Sequence, residues 1–303
     1  MQTTKKTNEL APGTILFRIF SGIIFGFANV IPGVSGGTMM VVLGMYERII
    51  GIITDLRHKL KSEWKFYVPV AVGMGIAIIL FGTIMSKLLE AHEPVMQMFF
   101  IGVIIFSIPG IFKLAAFEKK GKKRSTKKEI ICAICFVLML ALMVFMAFSD
   151  ANDEKAAIKA AEGVEEAIEL DHSAGHLIML VIYGAIACAT MIIPGISGSL
   201  VMVMLGQYKT IMAAIAAMDI LYLLPFAVGC LLGLIFIAKL IKYLLKNHER
   251  ATYSAILGFV LGSILPIFPG WNVAFSISGI IAFVIGGACI VACNLLAPKE
   301  EKA

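Results

Sequence analysis

Residues 29–38 read NVIPGVSGGT, and residues 191–200 read MIIPGISGSL. Each stretch lies inside a long apolar run, and each combines a proline, glycines and hydroxyl side chains. Such a combination is expected at membrane depth only where the backbone leaves the helix and is surrounded by protein or a water-filled cavity. We therefore interpret the two stretches as interruptions around which the chain is organised.

The composition predicts an all-α polytopic membrane protein. The chain has 303 residues, of which 59% are hydrophobic, and its mean hydropathy is +0.93. Average soluble chains are only about 45–50% apolar. The net charge of +6 is confined to a few loops, so it indicates membrane topology rather than binding to nucleic acid. The first apolar run extends well beyond the signal-peptide core of about 7–15 residues, so no cleavable signal is predicted.

Six apolar segments of suitable length predict transmembrane helices. These segments are residues 66–89, 95–117, 130–148, 221–245, 252–268 and 273–296. Two further runs, 15–53 and 176–218, are too long for one span of about 20 residues, and each is broken in the middle. The acidic segment 150–175 lies between the halves, and its Ala-rich interior has the apolar spacing of a short surface helix.

The chain contains an internal duplication. Matching residues recur at an offset of 162, and after a shortened loop the match continues at an offset of 156. The sequence therefore predicts a first repeat over residues 1–149, the acidic loop 150–175, and a second repeat over residues 176–303. The matched pairs include Gly22 with Gly184, Tyr46 with Tyr208, Pro69 with Pro225, and His92 with His248.

The loop charges predict the orientation of the repeats. Lys and Arg mark the cytoplasmic side in short loops. The loops 54–65, 119–128 and 239–250 are basic, whereas 150–175 is acidic. The basic loops then lie in the cytoplasm and the acidic loop lies outside, provided that both termini are cytoplasmic and each broken run enters and leaves the membrane on the same side. Each run is then a re-entrant hairpin followed by three spans, and the second repeat is inverted.

Two opposed hairpin tips resemble the plan of secondary transporters, in which the ligand binds where inverted repeats meet. A helix begins after each tip, near Thr38 and Ser199, and its unpaired N–H groups and positive dipole end suit an anion. Alternatively, the hydroxyl groups simply cap these helices. The predicted substrate-binding residues are Asn29, Pro32, Gly33, Ser35, Gly36, Gly37, Thr38, Pro194, Gly195, Ser197, Gly198, Ser199 and Arg18.

Charged residues near the broken runs have two interpretations each. Arg18 either draws an anionic head group inward or extends its charge to the membrane interface. Glu47, Arg48 and Lys209 are candidates for head-group contact or for coupling, although Glu47 and Arg48 also suit a surface pair. No metal site or cofactor is predicted, and Cys132-x-x-Cys135 is interpreted as helix packing.

An enzymatic alternative rests on the pattern G-x-S-G, which occurs at residues 33–36 and 195–198 and resembles the serine motif of intramembrane rhomboid-type proteases. A serine nucleophile needs a nearby base, but all histidines lie in loops or at span ends, and the motif occurs twice. We therefore predict no catalytic residue. His92 and His248 suit either proton sensing or placement at the interface.

The paired I-P-G-[VI]-S-G tips in a duplicated chain resemble the polyprenyl-phosphate transporter family, which includes the undecaprenyl phosphate translocases. The resemblance covers essentially the whole chain. It implies a multi-pass protein of the bacterial or archaeal plasma membrane that returns the lipid carrier from the outer to the inner leaflet for peptidoglycan and other envelope polymers. At the second tip, Met191 replaces Asn29 and Ser199-Leu200 replaces Gly37-Thr38, so an asymmetric site is expected.

The residues alone, without the resemblance, predict a transporter of an anionic, phosphorylated ligand. A transporter or channel for a small soluble anion is the alternative, and a membrane serine hydrolase is the remote one. The sequence is compatible with coupling to protons or sodium ions.

Overall fold

The computed structural model describes residues 12–30, 35–80, 86–116, 126–162, 170–196 and 198–296. Within these ranges every regular element is an α-helix, as the composition predicts. Pro32, Gly33 and Ser197 lie outside the described residues. The helices are α1 (Pro12–Val30), α2 (Gly36–Val42), α3 (Tyr46–Thr54), α4 (Leu56–Leu80), α5 (Ser86–Ala116), α6 (Thr126–Glu162), α7 (Ala174–Ile192), α8 (Gly198–Met204), α9 (Tyr208–Ala216), α10 (Ile220–Asn247), α11 (Glu249–Gly262), α12 (Ile264–Ile267), α13 (Trp271–Ala274) and α14 (Ile277–Leu296).

The chain divides into two compact units. The first comprises Met1–Phe117 and Ile267–Ala303, and the second comprises Glu118–Pro266. In the first unit, α1 packs along α4, α5 packs along α14, and α2 contacts α1 and α5. In the second unit, α7 packs along α10, α6 packs along α11, and α8 contacts α7 and α6. The two units therefore share one plan of helix pairing.

The helix bounds repeat at the same offset as the sequence. The bounds of α1, α2 and α3, moved by 162 residues, are those of α7, α8 and α9. The turn between the two short helices contains a left-handed glycine in both copies, Gly44 at φ 68° and Gly206 at φ 69°. The inverted orientation of the second repeat stays a prediction.

The compact units and the sequence repeats have different boundaries. The helix α6 belongs to the first repeat by sequence but packs on α11 in the second unit. The helix α14 ends the second repeat but packs on α5 in the first unit. Each unit thus takes one helix from the other half of the chain.

Glycines set the close approach of the long helix pairs. A Cβ added at Gly73 would lie 2.1 Å from the carbonyl oxygen of Ile19, and one added at Gly229 would lie 2.0 Å from that of Val181. These positions correspond between α1–α4 and α7–α10. Small residues at such contacts allow the backbones of membrane helices to touch.

Within the described ranges, five helices are long and apolar enough to cross a membrane by length and composition, or six if the bent pair of α2 and α3 counts as one span, which confirms the predicted class. They are His92–Ala116, Thr126–Phe148, Ala174–Ile192, Ile220–Asn247 and Glu249–Ile267. The helices α2 and α3 meet at 118°, so the second arm of the first broken run is not a single helix. The arm formed by α7, with 19 residues, is long enough to span.

The helix bounds agree with the predicted segments only in part. The span predicted over 66–89 is helical over residues 66–80 within α4, which begins earlier, at Leu56, and kinks at Glu63, and residues 81–85 lie outside the described residues. The interval between the predicted spans 66–89 and 95–117 contains a kink of α5, at which His92 leaves helical geometry with φ −134° and ψ 24°, and a helix long enough to span begins at His92. Its equivalent His248 has nearly the same backbone angles, φ −133° and ψ 43°. The helix α6 continues through the start of the predicted loop 150–175 to Glu162.

Candidate functional site

A cavity of about 400 Å³ lies in the first unit, between side chains of α1, α3 and α4. It is lined by Arg18, Glu47, Arg48, Lys59, Glu63 and Phe66. Formal charges give three cations against two carboxylates. The lining is therefore almost entirely charged and has a small positive excess, which suits an anionic ligand.

Arg18 is held deep in this unit. Its side chain is only 3% exposed, and its Nη1 donates a hydrogen bond to the carbonyl oxygen of Lys65 at 3.0 Å. A buried charge is costly unless it is paired and hydrogen-bonded. The bond across the α1–α4 contact therefore fixes the guanidinium in the cavity wall, and both interpretations of Arg18, head-group contact and placement at the membrane interface, stay predictions.

The Phe66 ring organises two arginines. The guanidinium carbon of Arg18 lies 5.5 Å from the ring centroid, and that of Arg48 lies 4.6 Å from it. Both distances are within cation–π range. The ring is itself buried, so it positions both guanidinium groups without occupying their hydrogen-bond donors.

Further contacts tie α3 to α4. The Tyr67 hydroxyl donates to the carbonyl oxygen of Arg48 at 3.0 Å. Lys59 forms an ion pair with Glu63 one helical turn later. The Lys59 charge is thus balanced within α4, and an anion-binding role for Arg18 and Arg48 stays a prediction. Planar guanidinium forks match phosphate oxygens better than an ammonium does.

The first tip shows the capping role. Ser35 is the N-cap of α2, and its Oγ accepts a hydrogen bond from the backbone N–H of Thr38 at 3.4 Å. Both side chains are buried, and Gly36 and Gly37 form the first turn of α2. The backbone of Asn29 lies in the last turn of α1. A ligand-binding role for these residues stays a prediction.

The second tip is enclosed by protein. Pro194 is fully buried, and Gly195 adopts φ +87°, where an added Cβ would lie 3.0 Å from the carbonyl oxygen of Phe259. Ile196 packs with Met143 and Phe259 in an apolar cluster. Non-helical backbone at this tip is therefore buried in protein, which is the condition expected at membrane depth.

The remaining predicted residues lie after this tip. Gly198 and Ser199 begin α8, and Lys209 is exposed on α9.

The structure thus brings together three predicted residues, Arg18, Glu47 and Arg48. Sequence reasoning missed Lys59, Glu63 and Phe66, because the charges of segment 54–65 were assigned to a loop. Part of the signal was available, since Lys59 and Glu63 are four residues apart, a spacing at which opposite charges pair on a helix; Phe66 follows a kink at Glu63 that the spacing does not predict.

A second polar cluster, also missed, lies in the second unit at the starts of α7 and α10. His172 Nε2 lies 2.8 Å from Asp219 Oδ2, and His176 Nε2 lies 2.7 Å from the Tyr222 hydroxyl. A hydrogen bond from the backbone N–H of Tyr222 holds the pKa of Asp219 below its usual value. Likewise, backbone and side-chain bonds from Ser173 lower the pKa of Asp171.

The helices and their paired packing define a multi-pass membrane protein with a duplicated helical plan and a basic cavity. Residues 25–281 match the family model described as VCA0040-like, undecaprenyl phosphate translocase-like, and the chain belongs to this family. The predicted resemblance is therefore confirmed.

Two relatives carry the name polyprenyl-phosphate transporter. The protein of Staphylococcus aureus (strain NCTC 8325 / PS 47) is 31% identical over 277 residues, which cover 88% of this chain and 92% of the relative. The protein of Vibrio cholerae serotype O1 (strain ATCC 39315 / El Tor Inaba N16961) is 26% identical over 269 residues, which cover 84% of this chain and 78% of the relative. No solved structure matches the chain.

Proposed function

We propose that this protein is a flippase for polyprenyl phosphate in the bacterial plasma membrane. It moves the lipid carrier from the outer to the inner leaflet, where the carrier is reused for peptidoglycan and other envelope polymers, and it has no enzymatic step. The family and the names of its two relatives support the substrate class. The observation that carries the proposal is the cavity in which Arg18 and Arg48 flank Phe66.

The cavity fits a phosphate monoester better than a neutral ligand. Such a group carries about −1.5 to −2 charge near pH 7, and guanidinium groups bind its oxygens through charge-assisted, often bidentate hydrogen bonds. Glu47 and Glu63 reduce the positive excess of the lining. In our proposal this keeps binding reversible, because a carrier must release its ligand in every cycle.

The tips complete the proposed path. In this scheme the head group passes the tips at residues 29–38 and 191–200 while the polyprenyl tail stays in lipid. Both termini are cytoplasmic, and the two repeats are inverted and alternate in exposing the site. The connection between α3 and α4 then belongs to a cytoplasmic basic segment, so the arginine cavity receives the head group on the cytoplasmic side.

The test is translocation of labelled undecaprenyl phosphate in proteoliposomes. Replacing Arg48 by Gln removes charge-assisted bonds worth about 1.5–3 kcal/mol, so the initial rate at limiting lipid should fall about 10- to 100-fold. Arg48→Lys should recover only part of the rate, because an ammonium lacks the planar fork.

The matched control is Arg57→Gln, an exposed arginine of α4 outside the cavity lining, which should keep the wild-type rate. Ser35→Ala tests the tip in the same assay. Wild-type rates for a correctly folded Arg48→Gln protein would refute the cavity as the head-group site. Uptake of inorganic phosphate into lipid-loaded vesicles, without movement of the lipid, would favour the soluble-anion alternative.

A further inference from the structure

The second polar cluster contains a histidine whose two ring nitrogens both face acceptors. His172 Nε2 lies 2.8 Å from Asp219 Oδ2, and His172 Nδ1 lies 2.9 Å from the carbonyl oxygen of Leu170. A carbonyl oxygen and an ionised carboxylate can only accept. Both contacts are hydrogen bonds at once only when the ring carries both of its protons.

The carboxylate partner is held in its ionised form. Asp219 is the N-cap of α10, and its Oδ1 accepts from the backbone N–H of Tyr222 at 3.1 Å. This bond favours the carboxylate, and the pKa of Asp219 is correspondingly lowered. The shared proton is therefore assigned to the imidazole of His172 and not to Asp219.

The neighbouring histidine has a different environment. His176 Nε2 lies 2.7 Å from the hydroxyl of Tyr222, whose side chain is completely buried. A tyrosine O–H can donate to this nitrogen, which leaves a proton on Nδ1, 3.9 Å from Asp171 Oδ2. The hydrogen bond between His176 and Tyr222 thus needs no second ring proton, whereas the two contacts of His172 need a proton on each ring nitrogen.

Two carboxylates lie near His172. Among the described residues, Asp219 and Tyr222 contact it from the start of α10, and Asp171 adjoins it in its own segment and also lies near His176 of α7. The ion pair links residues 170–173 to the start of α10, which is a contact between elements far apart in the chain.

The duplicated fold has a polar site at the corresponding place of the first unit. At the offset of 156, Asp219 and Tyr222 correspond to Glu63 and Phe66, which line the arginine cavity. The pairing of α7 with α10 repeats that of α1 with α4. The same structural position thus carries an anion-binding cavity in one unit and a histidine–carboxylate pair in the other.

We propose that His172 and Asp219 form a proton-binding site and that the transport cycle takes up and releases this proton. With the proton bound, His172 hydrogen-bonds Asp219 and so connects the segment before α7 to the start of α10. Loss of the proton removes one of the two His172 hydrogen bonds and weakens the contact between this segment and α10. The coupling half of this proposal rests on the proposed lipid transport, whereas the proton site itself does not.

Hydrogen–deuterium exchange tests the site without transport. We compare the full-length protein in nanodiscs at about pH 5.5 and about pH 8.5, a range in which an imidazole changes charge, after correction for intrinsic exchange. A partly exposed ion pair is worth about 0.2–1 kcal/mol, so protection of residues 170–176 and 219–223 should fall about 1.4- to 5-fold at the higher pH. His172→Gln and Asp219→Asn should remove this dependence.

The matched control is His58→Gln. His58 also lies near an aspartate, Asp55, at 3.7 Å, but both side chains are exposed and belong to one helix end. This variant should keep the pH dependence of segments 170–176 and 219–223. Equal pH dependence in wild type and His172→Gln would overturn the proton site.

Lipid translocation at the same two pH values tests the coupling. The ratio of the two rates should be alike in wild type and His58→Gln and should move toward one in His172→Gln. An unchanged ratio in His172→Gln would overturn the coupling. A wild-type protein that moves no lipid at either pH would overturn the proposed function, and the exchange experiment would still decide the proton site.

Discussion

Replacing Phe66 by Leu separates the aromatic face of this residue from its apolar volume. Phe66 is 3% exposed, so Phe66→Ala would also leave a cavity at a cost of about 3–5 kcal/mol. Leu retains most of the buried apolar surface. The change therefore removes mainly the two cation–π contacts, at 5.5 Å to Arg18 and 4.6 Å to Arg48.

The free energy lost with the two cation–π contacts has a part that affects folding and a part that affects ligand binding. A cation–π contact is worth about 0.5–1 kcal/mol when exposed and about 2 kcal/mol when desolvated. Arg18 is buried and Arg48 is half-buried, so together they contribute about 2.5–3 kcal/mol to folding. Arg18 keeps its hydrogen bond to Lys65 without the ring, whereas the Arg48 guanidinium must be ordered when the ligand binds, at about 0.5–1.5 kcal/mol.

The assays are thermal unfolding in detergent and equilibrium binding of undecaprenyl phosphate. Phe66→Leu should lower stability and weaken binding about 2- to 12-fold, because about 0.5–1.5 kcal/mol of ordering is added to the binding step. Phe66→Tyr keeps the ring, as at the equivalent Tyr222, and should bind within a few-fold of wild type. Wild-type affinity for a folded Phe66→Leu protein would refute the idea that the ring orients the arginines.

Two further predictions concern stability. Gly73→Ala should destabilise the α1–α4 pair by about 1–3 kcal/mol, because the new Cβ would lie 2.1 Å from the carbonyl oxygen of Ile19. The control is Gly75→Ala, where an added Cβ meets no atom within 4 Å, and this change should stabilise α4 by about 0.5–1 kcal/mol. Thermal unfolding checks both, and equal shifts would contradict the packing argument. Since folding lowers the pKa of Asp219, its charge stabilises the protein above the unfolded value of about 3.9, and this contribution is lost as the pH falls through the lowered folded value. The stability difference between wild type and Asp219→Asn should therefore disappear on acidification below about pH 4, and a constant difference from about pH 6 to about pH 3 would contradict it.

Local patterns in the sequence predict the duplicated helices well. The offset of 162 predicts that α7, α8 and α9 repeat α1, α2 and α3, and the bounds agree. The breaks at the tips are also predicted, because Pro-Gly pairs and the adjacent hydroxyl residues disfavour a continuous helix. Ser35 then caps α2 as a serine at this position can.

Helix ends in charged segments are predicted less well. The helix α4 begins at Leu56, inside a segment interpreted as a loop. Leu, Arg and Lys are good helix formers, so a helix can continue past the apolar boundary that hydropathy detects. The same applies to α6, which continues through an Ala-rich acidic stretch to Glu162.

The cavity could not be predicted from the sequence without knowing which helices pack against each other. Arg18 and Phe66 are separated by almost 50 residues, and the local sequence does not indicate that α1 lies along α4. His172 and Asp219 are likewise distant in sequence and meet because α7 lies along α10. The glycine matches between the repeats contain part of this information, since Gly22 and Gly73 lie at the α1–α4 contact, but glycines alone do not specify a partner helix.

The two units keep the same scaffold but differ in the chemistry that it carries. Leu180 stands where the first unit has Arg18, and it is fully buried in an apolar cluster with Tyr222. The second unit therefore lacks a buried cation at this position, and its charged groups lie nearer the helix ends, at His172 and Asp219. A duplicated transporter needs two similar halves to exchange conformations, but the ligand needs its guanidinium groups only once. The divergence at these equivalent positions agrees with the asymmetric carrier that we propose, with the proposed anion site in the first unit and the proposed proton site in the second.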